Sequence, residues 1–288
     1  MRLLYIGGRN LRDESIIMGK ALFFDIDGTL VNFQGKMPVS TRNALRQIQK
    51  KGHKIVICSG RSLCQIYPWL LDMRFDGIIA ASGAYVECDA QVIYEHHMDR
   101  KALIAARTLL ELADACCAAQ TKDGIVATES SKRRMVERFR SMGLKEDVAD
   151  QVWKNMQVDE HFEQRCDIEK LNYFGSQMSV VEIQNQLSEY CDVTAMSFEL
   201  PTDDSGEISS RGINKALGIQ KYIEHVGIAR EDTIAFGDGP NDFDMIEYVG
   251  TGVAMGNAMD ALKKQADHVT MGIDDDGIEH ALKELKLL

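Results

Sequence analysis

The stretch Ala21–Leu30 (ALFFDIDGTL) constrains the fold more than any other part of the chain. Ala21 to Phe24 are apolar and too few for a helix, so they read as a short, fully buried strand. The run ends in two carboxylates, Asp25 and Asp27, with Ile26 between them, and Gly28 and Thr29 then break the pattern. In an open α/β sheet, ligands bind just outside the carboxyl ends of the strands. Two acids at that point are either a solvated strand end or a site that handles a cation and a phosphate.

The chain has 288 residues, room for one large or two ordinary domains. Its formal net charge of −11 argues against nucleic acid, which needs a basic face. A small phosphate ester needs only a local positive pocket and is compatible with that charge. No apolar run approaches the ~20 residues of a membrane span. Seven cysteines, an odd number without C-x-x-C spacing, are expected as reduced thiols in the cytoplasm. Cys116 and Cys117 sit in a helical pattern. Residues 1–17 are too short and too charged for a signal peptide. Met18 offers a second plausible start, so 1–17 are expected to be an extension outside the fold.

Ser40 looks like the N-cap of a helix over Thr41–Lys51, with Ala44, Leu45 and Ile48 on one stripe. His53–Cys58 is a second buried strand and ends in Ser59-Gly60-Arg61. Strand, helix and strand of this length form a right-handed crossover, which puts Ser59 at the same sheet edge as Asp25. Asp76–Ala81 reads as a third strand, followed by a hairpin of Tyr85–Cys88 and Gln91–Glu95. The rhythm then changes. Helical patterns at Arg100–Cys116, Lys132–Ser141, Asp147–Met156 and Val180–Tyr190 alternate with strands near Gly124–Thr128, Leu171–Phe174 and Asp192–Phe198. This is a second α+β unit of roughly 110 residues, an ordinary domain size. Near Gly206 the first pattern returns. Lys215 precedes a helix over Ala216–His225, in which Gly218 is a mild flaw. The strand Asp232–Phe236 ends in Gly237-Asp238-Gly239-Pro240-Asn241-Asp242. Asp274, Asp275 and Asp276 read as helix-capping acids.

Taken singly, each feature has a bland reading. Lys215 is then a solvated helix-end lysine, and GDGPND a turn. Jointly, Asp25/Asp27, Ser59, Lys215 and Asp238/Asn241/Asp242 follow strands or open helices in one order. That order resembles the four motifs of the haloacid dehalogenase-like phosphohydrolases. One large insert between the second and third motifs, and the tail GVAMGNA, ADHVT and DDDGI, resemble the Cof-type subgroup with an α+β cap. One departure is Ser82, where relatives often carry Asn before Gly-Ala.

The resemblance implies a Rossmann-like parallel α/β core with an inserted cap. The core is expected over 18–84 and 204–288 and the cap over 85–203. It implies an Mg2+-dependent phosphatase acting on a small phosphorylated metabolite, by default a sugar phosphate, through an aspartyl-phosphate. Asp25 is then the nucleophile and Asp27 the general acid and base. Ser59, Gly60, Lys215 and Asn241 bind phosphate. Asp25, the Asp27 carbonyl and Asp238 hold the metal, with Gly28, Thr29 and Asp242 in support. A phosphomutase of the same superfamily is the nearest alternative, but those usually carry the insert between the first and second motifs. A receiver-like signalling protein would place its acids on different strands and needs no such insert.

Overall fold

The computed structural model describes residues 19–141, 156–196 and 203–288. The expected extension 1–17 and most of the expected helix Asp147–Met156 lie outside them. Along the chain, strands β1 (Ala21–Phe24), β2 (Lys54–Cys58), β3 (Gly77–Ala80), β4 (Tyr85–Cys88) and β5 (Gln91–Glu95) come first. Next are β6 (Cys116–Gln120), β7 (Ile125–Ala127), β8 (Gln157–Val158), β9 (Lys170–Phe174), β10 (Cys191–Ala195) and β11 (Gly206–Ser210). The last are β12 (Thr233–Gly237), β13 (Thr251–Ala254) and β14 (His268–Val269).

They form two sheets. The larger has the order β14-β13-β12-β1-β2-β3-β4-β5. Its strands from β14 to β3 run parallel, and β4 and β5 add an antiparallel edge. From β1 the chain moves outward on one side, then returns to build the other side from β12. The β1/β12 boundary is therefore the topological switch point, where an open α/β sheet leaves a crevice. Register aligns Phe24 with Ile57 of β2 and Phe236 of β12, so the segments after all three strands emerge at one edge. β1 is buried throughout, and Phe24 stacks on Phe236 with ring centroids 4.8 Å apart.

The first helix, α1 (Val39–Lys50), starts earlier than expected, after Pro38. Ser40 caps nothing; its hydroxyl donates to Asp276. Asp274 accepts from Asn32 Nδ2 at 2.7 Å. Asp274 therefore fastens the loop after β1 and Asp276 the first turn of α1, and neither side chain caps a helix. A short helix α2 (Pro68–Leu71) follows β2, and α3 (Arg100–Leu112) follows β5. The expected helix through Cys116 stops at Leu112. Asp114 turns the chain with φ +52, and Cys116 and Cys117 begin β6. Alanine-rich sequence favours a helix, but this segment is flanked by β7 and β9 and buried at all five positions, so tertiary pairing wins.

The second sheet has the order β10-β11-β9-β6-β7-β8 and is antiparallel except for β7 with β8. α4 (Glu129–Ser141) and α5 (Val180–Leu187) belong to the same unit. Sheet membership differs from the expected division at both ends. β4 and β5, expected in the cap, complete the larger sheet, and β11, expected in the core, is a central strand of the smaller one. The crossing segments are thus the chain after Glu95 and the chain after Ser210.

α6 (Lys215–Val226) then returns to the larger sheet. Gly218 is no flaw there. A Cβ on it would lie 2.5 Å from Ile79 Cγ2 and 3.1 Å from Gly83 Cα, so glycine lets the helix lie close to β3 and the turn after it. α7 (Phe243–Tyr248), α8 (Asp260–Gln265) and α9 (Gly277–Glu284) complete the described chain. No helix among the described residues is long and apolar enough to cross a membrane.

Candidate active site

The loop after β1 is built to hold two carboxylates at the switch point. Asp25 N–H donates to Phe236 O at 3.0 Å, which continues the β1–β12 ladder by one residue. The loop then closes on itself, with Val31 N–H donating to Ile26 O at 2.7 Å and Gly28 N–H to Val31 O at 2.8 Å. Gly28 is required twice over. Its φ is +82°, and a Cβ would lie 2.1 Å from Asp238 Oδ2.

Lys215 opens α6 and is fully buried. Its Nζ donates to Asp25 Oδ1 at 2.6 Å and to Asp242 Oδ1 at 2.5 Å. Asp242 Oδ2 in turn accepts from the N–H groups of Asp238, at 2.8 Å, and Gly239, at 2.9 Å. Both Asp242 oxygens are thereby committed, which makes it a brace for Lys215 and for the turn after β12. Asp238 Oδ1 accepts from Thr29 Oγ1 at 2.9 Å.

Ser59 follows β2; its N–H donates to Ile79 O at 2.8 Å and its Oγ accepts from Arg61 N–H at 3.1 Å. The hydroxyl proton of Ser59 is left to donate elsewhere. Asn241 Nδ2 lies 2.7 Å from where a Gly60 Cβ would be, so Gly60 leaves room for that amide. The structure thus brings Asp25, Gly28, Thr29, Lys215, Asp238 and Asp242 into direct contact. It sets Ser59, Gly60 and Asn241 at the neighbouring strand end.

Asp27 turns to a partner that sequence reasoning missed. Arg61 Nε donates to Asp27 Oδ2 at 2.6 Å and its other guanidinium nitrogen to Oδ1 at 2.9 Å, a bidentate pair. Arg61 is itself held by the Gln65 carbonyl and lies over the Tyr67 ring. The Ser59-Gly60-Arg61 string was legible; its pairing across to the β1 loop was not. Asn257, also missed, donates to Gly28 O at 2.9 Å and accepts from Ile273 N–H at 2.9 Å, tying the β1 loop to the C-terminal part. Lys170 and Glu207 reach the site from the second sheet; Lys170 Nζ donates to Gly60 O at 2.7 Å.

The electrostatics are short of positive charge. Burial pushes the Asp25 carboxyl well above the usual range, against the pull of Lys215, and Asp242 and Asp238 push the same way. Burial and then Asp242 raise Asp238 to about 7. Burial disfavours the Lys215 ammonium, but Asp242 and Asp25 override it and hold the proton firmly. Asp25, Asp238 and Asp242 each present a carboxylate oxygen within 4.8 Å of the others. One ammonium among three acids leaves a place for a cation, and the donor set of oxygens alone suits Mg2+. With Asp242 committed, Asp25 and Asp238 are the side chains open to it.

A parallel sheet with acids at its switch point and a lysine brought back from α6 defines a hydrolase site of one family. Residues 22–282 match the haloacid dehalogenase-like hydrolases, and the chain belongs to that family. Within it, the chain is a Cof-type phosphatase. It is 37% identical over 273 residues to a Bacillus subtilis protein named "Putative phosphatase YkrA", covering 93% of this chain and 98% of that one. A solved phosphatase from Bacteroides thetaiotaomicron superposes with a TM-score of 0.78 at 26% identity, covering 98% of this chain and all of that one. A subclass IIB sugar phosphatase superposes with a TM-score of 0.76 at 27% identity, covering 93% and 100%.

Proposed function

We propose that this enzyme hydrolyses the phosphate monoester of a small hydroxylated metabolite, a sugar or polyol phosphate, with Mg2+ and through a phosphorylated Asp25. The observation that carries the reading is the arrangement of the β1 loop. It holds one carboxylate, Asp25, against a buried ammonium, and a second, Asp27, two residues on, in a guanidinium fork.

A phosphate monoester dianion repels an attacking anion, so the site must offset charge and align the attack. Lys215 lies on Asp25 Oδ1, where it offsets charge and fixes the direction of the carboxylate. The other Asp25 oxygen forms the bond to phosphorus as the ester P–O bond breaks. Asp27 takes up a proton from solvent as the Arg61 fork opens, and gives it to the departing oxygen. It then takes one from the water that attacks phosphorylated Asp25, releasing phosphate and restoring the carboxylate. Ser59, the Gly60 backbone and Asn241 hold the phosphoryl oxygens. Asp25, the Asp27 carbonyl and Asp238 would hold Mg2+, which when bound supplies the positive charge this acidic cluster lacks. The second sheet closes over the site and excludes water. The same reading places the enzyme in the cytoplasm, the setting expected for an odd number of cysteines without C-x-x-C spacing.

The test is a phosphate-release screen with Mg2+ over phosphorylated metabolites, run on the wild type and on Asp25→Asn. Turnover by the wild type and a loss of ~10^4-fold or more in the variant are expected. Undiminished turnover in Asp25→Asn would refute the nucleophile assignment.

A further inference from the structure

One face of the second sheet is polar and nevertheless buried. On β9, Lys170 and Asn172 share a face; Ser209 and Gln120 lie opposite Lys170, and Glu207 lies opposite Asn172. Alternation puts Leu171, Tyr173 and Ile208 on the other face, in an apolar cluster with residues of α3 and α5. Lys170 is 0%, Glu207 4% and Asn172 8% exposed, so the polar face is closed off by the first sheet's loops.

Lys170 Nζ donates to Glu207 Oε2 at 2.6 Å and to Gly60 O at 2.7 Å, and lies 3.5 Å from Ser82 Oγ. Glu207 Oε2 and Asn241 Nδ2 lie 3.5 and 2.7 Å from the point where a Gly60 Cβ would sit. An ion pair carried by the second sheet therefore stands directly beside the loop that holds the phosphoryl group. Next to it, Asn172 Oδ1 is buried with no hydrogen-bond partner among the described residues. A buried acceptor left without a donor is costly. A hydroxyl on a bound ligand would supply the missing donor.

We propose that Glu207 and Asn172, with Lys170 holding Glu207 in position, read the alcohol half of the substrate, and that this alcohol carries hydroxyls on the carbons next to the ester oxygen. The inference rests on the phosphatase reading above. Lys170 spends its three protons on Glu207, Gly60 O and Ser82 and so holds Glu207 in place. The Glu207 carboxylate accepts and the Asn172 amide both donates and accepts, so these two pair with hydroxyls in either sense. The Glu207 carboxylate repels a leaving group that is itself anionic. Proximity to Gly60 sets the reach: only atoms a bond or two from the ester oxygen meet these groups.

The experiment compares pairs of esters that differ only in hydroxyls: glycerol 1-phosphate with n-propyl phosphate, and ribitol 5-phosphate with n-pentyl phosphate. Because removing one member of a buried ion pair strands the other, the main variant replaces both, Lys170→Met with Glu207→Leu. Glu207→Gln, which keeps the size of the side chain, is the second. The readout is the ratio of kcat/KM for the hydroxylated ester to that for its alkyl partner. The wild type should favour the hydroxylated ester, and that ratio should fall ~10- to 100-fold in the double variant and also fall in Glu207→Gln. A wild-type ratio near one, or ratios unchanged in either folded variant, would overturn the inference while leaving the phosphatase reading intact. No phosphate release by the wild type from any ester would overturn the phosphatase reading, and this inference with it.

Discussion

Glu169, just before β9, is a buried acid that no catalytic step uses, and it should make stability depend on pH. It is 1% exposed, and neither carboxylate oxygen has a hydrogen-bond partner among the described residues. The Ser62 hydroxyl nearby donates to Gln120 Oε1 at 3.0 Å instead. Burial raises the Glu169 carboxyl from its ordinary 4.5 to about 7, opposed by the neighbouring Ser62 hydroxyl, Lys170 and Lys122 and helped by Glu95. The folded protein therefore holds a proton between these values that the unfolded chain has released. Stability from this group is fully present below 4.5, falls as pH rises toward about 7, and is level above that. At ~1.4 kcal/mol per pH unit, the loss over this window is about 3 kcal/mol. Glu169→Gln keeps the shape and cannot titrate. Relative to the wild type, it should gain about 3 kcal/mol between about pH 5 and about pH 8. Urea unfolding at both pH values measures this, with hydrogen exchange of the β6 and β9 amides reporting on the unit that holds Glu169. Wild type and variant with parallel pH curves would refute the reasoning.

Three further outcomes follow from the site. Arg61→Met removes the bidentate hold on Asp27. It should lower kcat by about tenfold for alkyl esters, but less for p-nitrophenyl phosphate, whose leaving group needs little protonation; an equal loss on both would assign Arg61 some other role. Thr29→Val deletes the hydroxyl that donates to Asp238 Oδ1. Mg2+ affinity by titration calorimetry should weaken ~10-fold or more, and unchanged affinity would remove Asp238 from the metal site. Gly28→Ala forces a methyl group to within 2.1 Å of Asp238 Oδ2 at a φ of +82°. Loss of Mg2+ binding with a lowered melting temperature is expected, and a variant that binds Mg2+ normally would contradict the close approach.

What the sequence determined by itself was the set of strand ends. Ala21–Phe24, His53–Cys58 and Asp232–Phe236 read as short buried strands, each followed at once by polar residues or glycine, and the structure has strands at all three. In a parallel sheet that adjacency is enough to place Asp25, Ser59 and Asp238 at one edge, because local pattern and register point the same way. Tertiary structure decided whatever depends on partners far apart in the chain. Cys116–Gln120 has a helix-like composition and is a strand because β7 and β9 flank it. β4 and β11 change sheets relative to the expected boundary because strand pairing, which leaves little mark in composition, assigned them. Asp27 faces Arg61, 34 residues on, while Asp25 faces Lys215, 190 residues on, and neither choice is written in the D-x-D string. Asp242 became a brace because its second oxygen found the N–H groups of its own turn. Lys170 and Glu207 belong to no motif in the sequence. Only the packing of one sheet's polar face against the other sheet's loops took them out of water and set them beside Gly60, where a buried charge must have a partner.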